Sequence, residues 1–119
     1  MQVDVKEDID WGLIRKRLNE AFEVTQKALD NQILKDSNFH APQDKANLIE
    51  SGVRNTDPGS GKIIWDTEYA KRLYYNPQYN FSKDKNPNAS GLWFERAKSL
   101  QFRHWLTLAQ HTFGNNFNS

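Results

Sequence analysis

Val53-Arg54-Asn55-Thr56-Asp57-Pro58-Gly59-Ser60-Gly61-Lys62-Ile63-Ile64-Trp65-Asp66 is the stretch on which the fold class turns. Its centre, Asp57 to Gly61, is a strong turn signal, with Pro and Gly where a type II turn uses them. Lys62 to Asp66 is β-branched and aromatic, a composition that suits a pleated, half-buried strand. Val53 to Thr56 reads as a second short strand. Two such arms about one tight turn predict a β-hairpin and, with it, a small antiparallel sheet.

Upstream the periodicity is helical. Asp8 or Asp10 can serve as an N-cap. From there Trp11, Ile14, Leu18, Ala21, Thr25 and Ala28 recur at steps of three and four, with Phe22 and Leu29 widening the stripe. This predicts a long amphipathic helix ending near Leu34. Arg15, Lys16, Glu20, Glu23, Lys27 and Asp30 form its solvated outer face. Asp36-Ser37-Asn38 reads as a breaker, and Phe39 to Pro42 as extended chain, because proline pushes the residue before it out of the helical region. Ala46 to Gly52 is a short helix or turn closed by glycine.

Downstream, Thr67 can cap a short helix from Glu68 to Tyr75, which Asn76-Pro77 stops. Gln78 to Gly91 is a long polar loop, a length that in compact domains usually carries function. From Leu92 a second amphipathic helix presents Phe94, Ala97, Trp105 and Leu108 on one face and ends at Gly114-Asn115-Asn116. The predicted fold is α+β: a long N-terminal helix and a C-terminal helix packed on a small antiparallel sheet, with a long aromatic and polar loop. The chain of 119 residues has the length of a single domain. Within it, residues 1–9 read as an N-terminal arm, 76–91 as an assembly loop and 114–119 as a flexible tail.

Composition narrows the functional classes. With no cysteine there is no disulfide, thiolate metal site or cysteine nucleophile. The polar, acidic N-terminus does not resemble a signal peptide, and no apolar run approaches the roughly 18 residues that span a membrane. The net charge of +1 points to no polyanionic partner. The charge is nevertheless uneven: residues 1–60 carry eight basic and eleven acidic side chains, residues 61–119 eight and four. Opposite halves of this kind suit head-to-tail packing of identical subunits, and equally suit two solvated faces.

Motifs for chemistry fail on inspection. Gly59-Ser60-Gly61-Lys62 lacks the first glycine and the final Ser/Thr of a phosphate loop, having Thr56 and Ile63 there. Asp84, Asn86, Asn88 and Glu95 echo a calcium loop, but Ala89 stands where glycine is needed and Pro87 interrupts. His104 and His111 sit two turns apart, roughly 10 Å, too far for one zinc ion. His40 is remote, and no Ser/His/Asp set is recognisable. Asn80-Phe81-Ser82 and Asn88-Ala89-Ser90 match the glycosylation pattern but have no secretory signal to give them meaning. The residues imply no cofactor and no metal.

What remains is aromatic. Between Lys62 and Trp93 lie two Trp, four Tyr and one Phe, interleaved with basic residues. Such a surface can stack on single-stranded nucleic acid. It can also fill a core or build a protein interface, where Tyr, Trp and Arg dominate, and the interface reading is the stronger. The candidate interface residues are Tyr75, Tyr79, Phe81, Lys83, Lys85 and Trp93.

The run Trp65-Asp66-Thr67-Glu68-Tyr69-Ala70-Lys71-Arg72-Leu73-Tyr74-Tyr75-Asn76-Pro77, continued by Tyr79-Asn80-Phe81-Ser82-Lys83-Asp84-Lys85-Asn86-Pro87-Asn88-Ala89-Ser90-Gly91-Leu92-Trp93-Phe94, closely resembles a family of siphophage minor capsid proteins encoded among head–tail joining genes. Pro42-x-x-Lys45-Ala46-Asn47-Leu48-Ile49-x-Ser51-Gly52 is a weaker part of the same resemblance, which covers roughly residues 10 to 113. The family is similar in pattern to the tail-completion proteins of the phage neck, although Lys45-Ala46 stands where that broader group has Thr-Gly. The resemblance implies a non-enzymatic virion protein, made in the host bacterial cytoplasm. It would lie in the neck and join the capsid connector to the tail. It also implies a homo-oligomer, a hexameric ring, with the connector or stopper and the tail terminator as partners and a passing contact with genomic DNA, but no membrane. A tail terminator, a head-closure protein and a nucleic-acid-binding module are the alternative readings.

Overall fold

The computed structural model describes residues 1–2, 10–42, 46–75 and 90–118. Among these described residues four helices follow in order: α1 (Trp11–Phe39), α2 (Ala46–Asn55), α3 (Ala70–Tyr74) and α4 (Trp93–Phe117). There is no strand among the described residues. The protein is therefore helical, and the expected α+β fold with its antiparallel sheet is wrong.

The reason lies in the stretch that decided the prediction. Its turn forms: the Ser60 amide donates to the Asp57 carbonyl at 3.0 Å, and Gly59 has a positive φ of 106°, as the third residue of a type II turn requires. The flanking strands do not form. Val53 to Asn55 are the last turn of α2, and the Thr56 amide still donates to the Gly52 carbonyl. A strand needs a partner for its amides, and helix α2 has taken the partner. Lys62 to Asp66 runs on alone. Its amides go to side chains: Ile64 to the Thr56 hydroxyl at 3.2 Å and Lys62 to the Ser60 hydroxyl at 3.2 Å. Strand-like composition therefore reports only half-burial here, alternating between Ile63 and Trp65 inward and Ile64 and Asp66 outward.

Helix α1 spans 29 residues, about 43 Å at 1.5 Å per residue. Asp10 caps it, its carboxylate accepting from the Leu13 amide at 3.0 Å. The helix does not stop near Leu34; it continues through Asp36-Ser37-Asn38 to Phe39. Short polar side chains break helices by bonding their own backbone. Two of these are otherwise engaged. Asp36 accepts the Trp105 indole N–H at 2.7 Å, and Asn38 accepts that of Trp65 at 2.9 Å. Similarly, α4 runs through Gly114-Asn115-Asn116 and ends at Phe117.

Helices α1 and α4 pack antiparallel. Arg17 donates to the Phe117 carbonyl at 2.8 Å, Phe22 meets Phe113 with ring centroids 4.9 Å apart, and Asp36 meets Trp105. The two form a long arm, and the molecule measures 72 × 24 × 21 Å. The core lies at one end, beyond the C-terminus of α1. Ala41, Leu48, Ala70 and Trp93 are buried there, with Ile49, Trp65, Tyr69, Leu73 and Tyr74 packed around them. Helix α2 reaches this core through Gly52, where an added Cβ would lie 2.5 Å from the Trp65 indole nitrogen and 3.1 Å from Leu34. Helix α3 is shorter than expected. Thr67 does not cap it with its side chain; only the Thr67 carbonyl accepts, from the Ala70 amide at 3.1 Å.

Candidate functional site

The aromatic stretch is assembled at the core end by α1. Asp30, expected on the solvated face, is instead 3% exposed. One of its oxygens accepts the Gly59 and Gly61 amides at 2.8 and 2.9 Å, the other the Gln26 side chain at 2.8 Å. This fastens the glycine turn to the helix and directs Ile63, Ile64 and Trp65 past it. Asn38 then fixes the Trp65 ring. Two further backbone bonds close the cluster: Ser90 to the His40 carbonyl at 2.9 Å, and Leu92 to the Tyr74 carbonyl at 2.9 Å. Leu92 adopts a positive φ of 50°, a conformation that costs about 1 kcal/mol or more in a residue with a side chain, immediately before α4 begins.

Four rings form a chain of edge-to-face contacts, the geometry aromatic quadrupoles prefer. Trp65 meets Trp93 at 5.8 Å, Trp93 meets Tyr74 at 4.8 Å, and Tyr74 meets Tyr75 at 5.0 Å. The chain leads from Trp93, 1% exposed, to Tyr75, 65% exposed. The Tyr74 hydroxyl donates to Glu95 at 3.1 Å. Burial, then this bond to a carboxylate, push the Tyr74 phenol well above its ordinary pKa. The rings line one wall of a half-open cleft of about 670 Å³, which Gln26, Asp30 and Ile33 of α1 and Phe94 and Glu95 of α4 complete. Among the described residues neither the Trp93 indole N–H nor the Thr67 hydroxyl has a hydrogen-bond partner.

Of the residues expected at an interface, Tyr75 lies on the surface at the mouth of the cleft. Trp93 is in the core of the chain and supports Tyr75 through Tyr74. Tyr79, Phe81, Lys83 and Lys85 lie outside the described residues. Sequence reading missed the receptors: Asp30, Asp36 and Asn38 looked like solvent-facing or helix-breaking residues. For Asp36 and Asn38 a signal was available in the sequence, since a buried Trp indole N–H usually finds an acceptor.

No three His, Asp or Glu side chains converge on a metal position among the described residues. None of the described helices is long and apolar enough to cross a membrane. An apolar cleft edged by an exposed tyrosine is suited to docking another chain.

A family model described as minor capsid protein covers residues 4–113. No curated protein and no solved structure matches the chain. The family model spans nearly the whole sequence, including α1, most of α4 and the aromatic cleft, and the chain belongs to the minor capsid protein family, whose members are structural components of the virion.

Proposed function

We propose that this minor capsid protein is an assembly element of the neck of a long-tailed phage, joining the capsid connector to the tail. The observation that carries this reading is the exposed Tyr75 at the end of the ring chain, anchored through Tyr74 to the buried Trp93. Rigid aromatic anchors of this kind make interface hot spots at small entropic cost. The resemblance of Trp65 to Phe94 to head–tail joining proteins supports the position in the neck. Copies of the chain pack head to tail into a ring, a hexamer by analogy with tail-completion proteins, because heterologous contacts close when the rotation permits. Connector and tail proteins dock on the two ring faces. The contact residues are Tyr75 with Tyr79, Phe81, Lys83 and Lys85.

The test is made in the phage. Tyr75→Ala, and Tyr79→Ala combined with Phe81→Ala, are expected to leave the purified protein helical while filled heads and separate tails accumulate. Joined virions at wild-type yield from both variants would overturn the reading. Salt-sensitive binding of single-stranded DNA, lost in the same variants, would replace it with a nucleic-acid role.

A further inference from the structure

The extended segment Lys62 to Asp66 keeps an open edge. In extended chain the N–H and C=O groups of successive residues point to opposite edges. The amides of Lys62 and Ile64 turn to their own chain, to the Ser60 and Thr56 hydroxyls, each at 3.2 Å. The groups of Ile63 and Trp65 therefore point to the other edge. There neither backbone N–H nor C=O has a hydrogen-bond partner among the described residues. The segment lies at the surface, with Lys62, Ile64 and Asp66 exposed and Ile63 and Trp65 half-buried. A bare edge of β-branched and aromatic residues is a template for a strand from another chain.

We propose that this edge pairs with the same segment of a second copy, antiparallel and centred on Ile64. Lys62-Ile63-Ile64-Trp65-Asp66 is self-complementary in that register. Lys62 stands opposite the other copy's Asp66, and Asp66 opposite its Lys62. Ile63 stands opposite Trp65, and Ile64 opposite Ile64. Opposite charges and pairs of β-branched with aromatic residues are favourable directly across a strand pair. The free backbone groups agree with this register. In an antiparallel pair the residues that exchange both N–H···O bonds lie directly opposite each other, and Ile63 and Trp65 are the two whose groups are free. Ile64, whose amide is taken, falls in the pair without hydrogen bonds, where side chains come closest; its side chain, 46% exposed, is covered by its counterpart. Asp66 is available for the contact. Its ion pair with Arg54 spans 3.9 Å between two exposed groups and contributes little. Each chain by itself remains helical; the strands pair only between copies. The contact is short, so the dimer is weak, with a Kd on the order of 100 µM. A closed two-fold pair is a different contact from the heterologous contacts of a ring, so neither proposal stands or falls with the other.

Sedimentation equilibrium of the purified full chain, up to about 1 mM, tests it. The expected result is a reversible dimer whose Kd rises at least about tenfold in Lys62→Asp and in Asp66→Lys, which each set like charges opposite one another. Both positions are exposed, and far-ultraviolet circular dichroism is expected to stay unchanged. The double variant Lys62→Asp with Asp66→Lys restores the dimer. So does an equal mixture of the two single variants, whose mixed pair again sets opposite charges together at both ends. Hydrogen exchange at the Ile63 and Trp65 amides slows as concentration rises, while exchange at Lys62 and Ile64 does not change. A monomer at every concentration, including one whose edge pairs only with a strand of a different virion protein, overturns the proposal. So does a dimer indifferent to both charge reversals, a double variant and a mixture that both stay monomeric, or a dimer without protection at Ile63 and Trp65.

Discussion

Replacing Asp30 tests whether a single buried carboxylate holds the glycine turn, and so the wall of the cleft, against α1. Asp30→Ala removes three hydrogen bonds of 2.8 to 2.9 Å. Bonds to a charged acceptor contribute about 1.5–3 kcal/mol each. The turn glycines are exposed, so their amides recover water, and about 1 kcal/mol per bond is the better figure. The expected loss is about 2–3 kcal/mol, or roughly 10 °C in Tm for a domain of this size. Asp30→Asn keeps the shape and one accepting oxygen but loses the charge, so its loss is smaller, about 1 kcal/mol. Urea unfolding followed by circular dichroism gives both values, and hydrogen exchange at the Gly59 and Gly61 amides reports the turn itself. The reasoning fails if Asp30→Ala lies within about 0.5 kcal/mol of the parent, or if Asn is worse than Ala.

Three further outcomes follow from the core end. Gly52→Ala gains helix propensity of about 1 kcal/mol, but its methyl would meet the Trp65 ring at 2.5 Å; a net loss of about 1–2 kcal/mol is expected, and a more stable variant in thermal unfolding would contradict the packing. Asn38→Ala leaves the Trp65 indole N–H without its acceptor and is expected to cost about 1–2 kcal/mol, with a shift in tryptophan emission; unchanged emission and stability would show that the bond is idle. The Tyr74 phenol is held above its usual value of 10.0 in the fold, so above that pH the unfolded chain loses a proton that the folded chain keeps. Stability is therefore flat with respect to this group below pH 10 and falls as pH rises beyond it, and Tyr74→Phe should reduce that slope in urea titrations at alkaline pH; an equal slope in both proteins would refute the assignment.

Which parts of this fold were legible in the sequence follows a physical division. The long helices were readable because amphipathic periodicity is a property of the segment alone: Trp11, Ile14, Leu18 and Ala21 make a stripe whatever they pack on. The type II turn was readable for the same reason, since Pro58 and Gly59 specify their own dihedrals. The sheet was not legible, because a strand is a relation between two segments. Ile63-Ile64-Trp65 has strand composition, yet its supposed partner, Val53 to Asn55, gains more by completing α2, whose Ser51 and Gly52 face the core. The far limit of α1 was equally hidden. Asp36 and Asn38 break a helix in isolation, and only Trp105, 69 residues away, and Trp65, 27 residues away, turn them into acceptors.

That division also bears on the aromatic stretch. The composition of Lys62 to Trp93 suggested an interface, but composition does not separate an exposed ring from the buried ring that supports it. Trp93 and Tyr75 look alike in the sequence, and the fold puts one in the core and the other on the surface. Burial holds Trp93 in place, and edge-to-face contacts lead from it through Tyr74 to Tyr75, which is largely exposed. An exposed tyrosine on a floppy loop would lose side-chain entropy on docking; one held from below has already lost much of it on folding. The polar residues of α1 complete the device. By accepting from the Trp65 indole and from the glycine turn, Asn38 and Asp30 fix the opposite wall of the cleft without adding apolar bulk to it, so the opening beside Tyr75 survives folding. A core built only from larger apolar side chains would have filled that space.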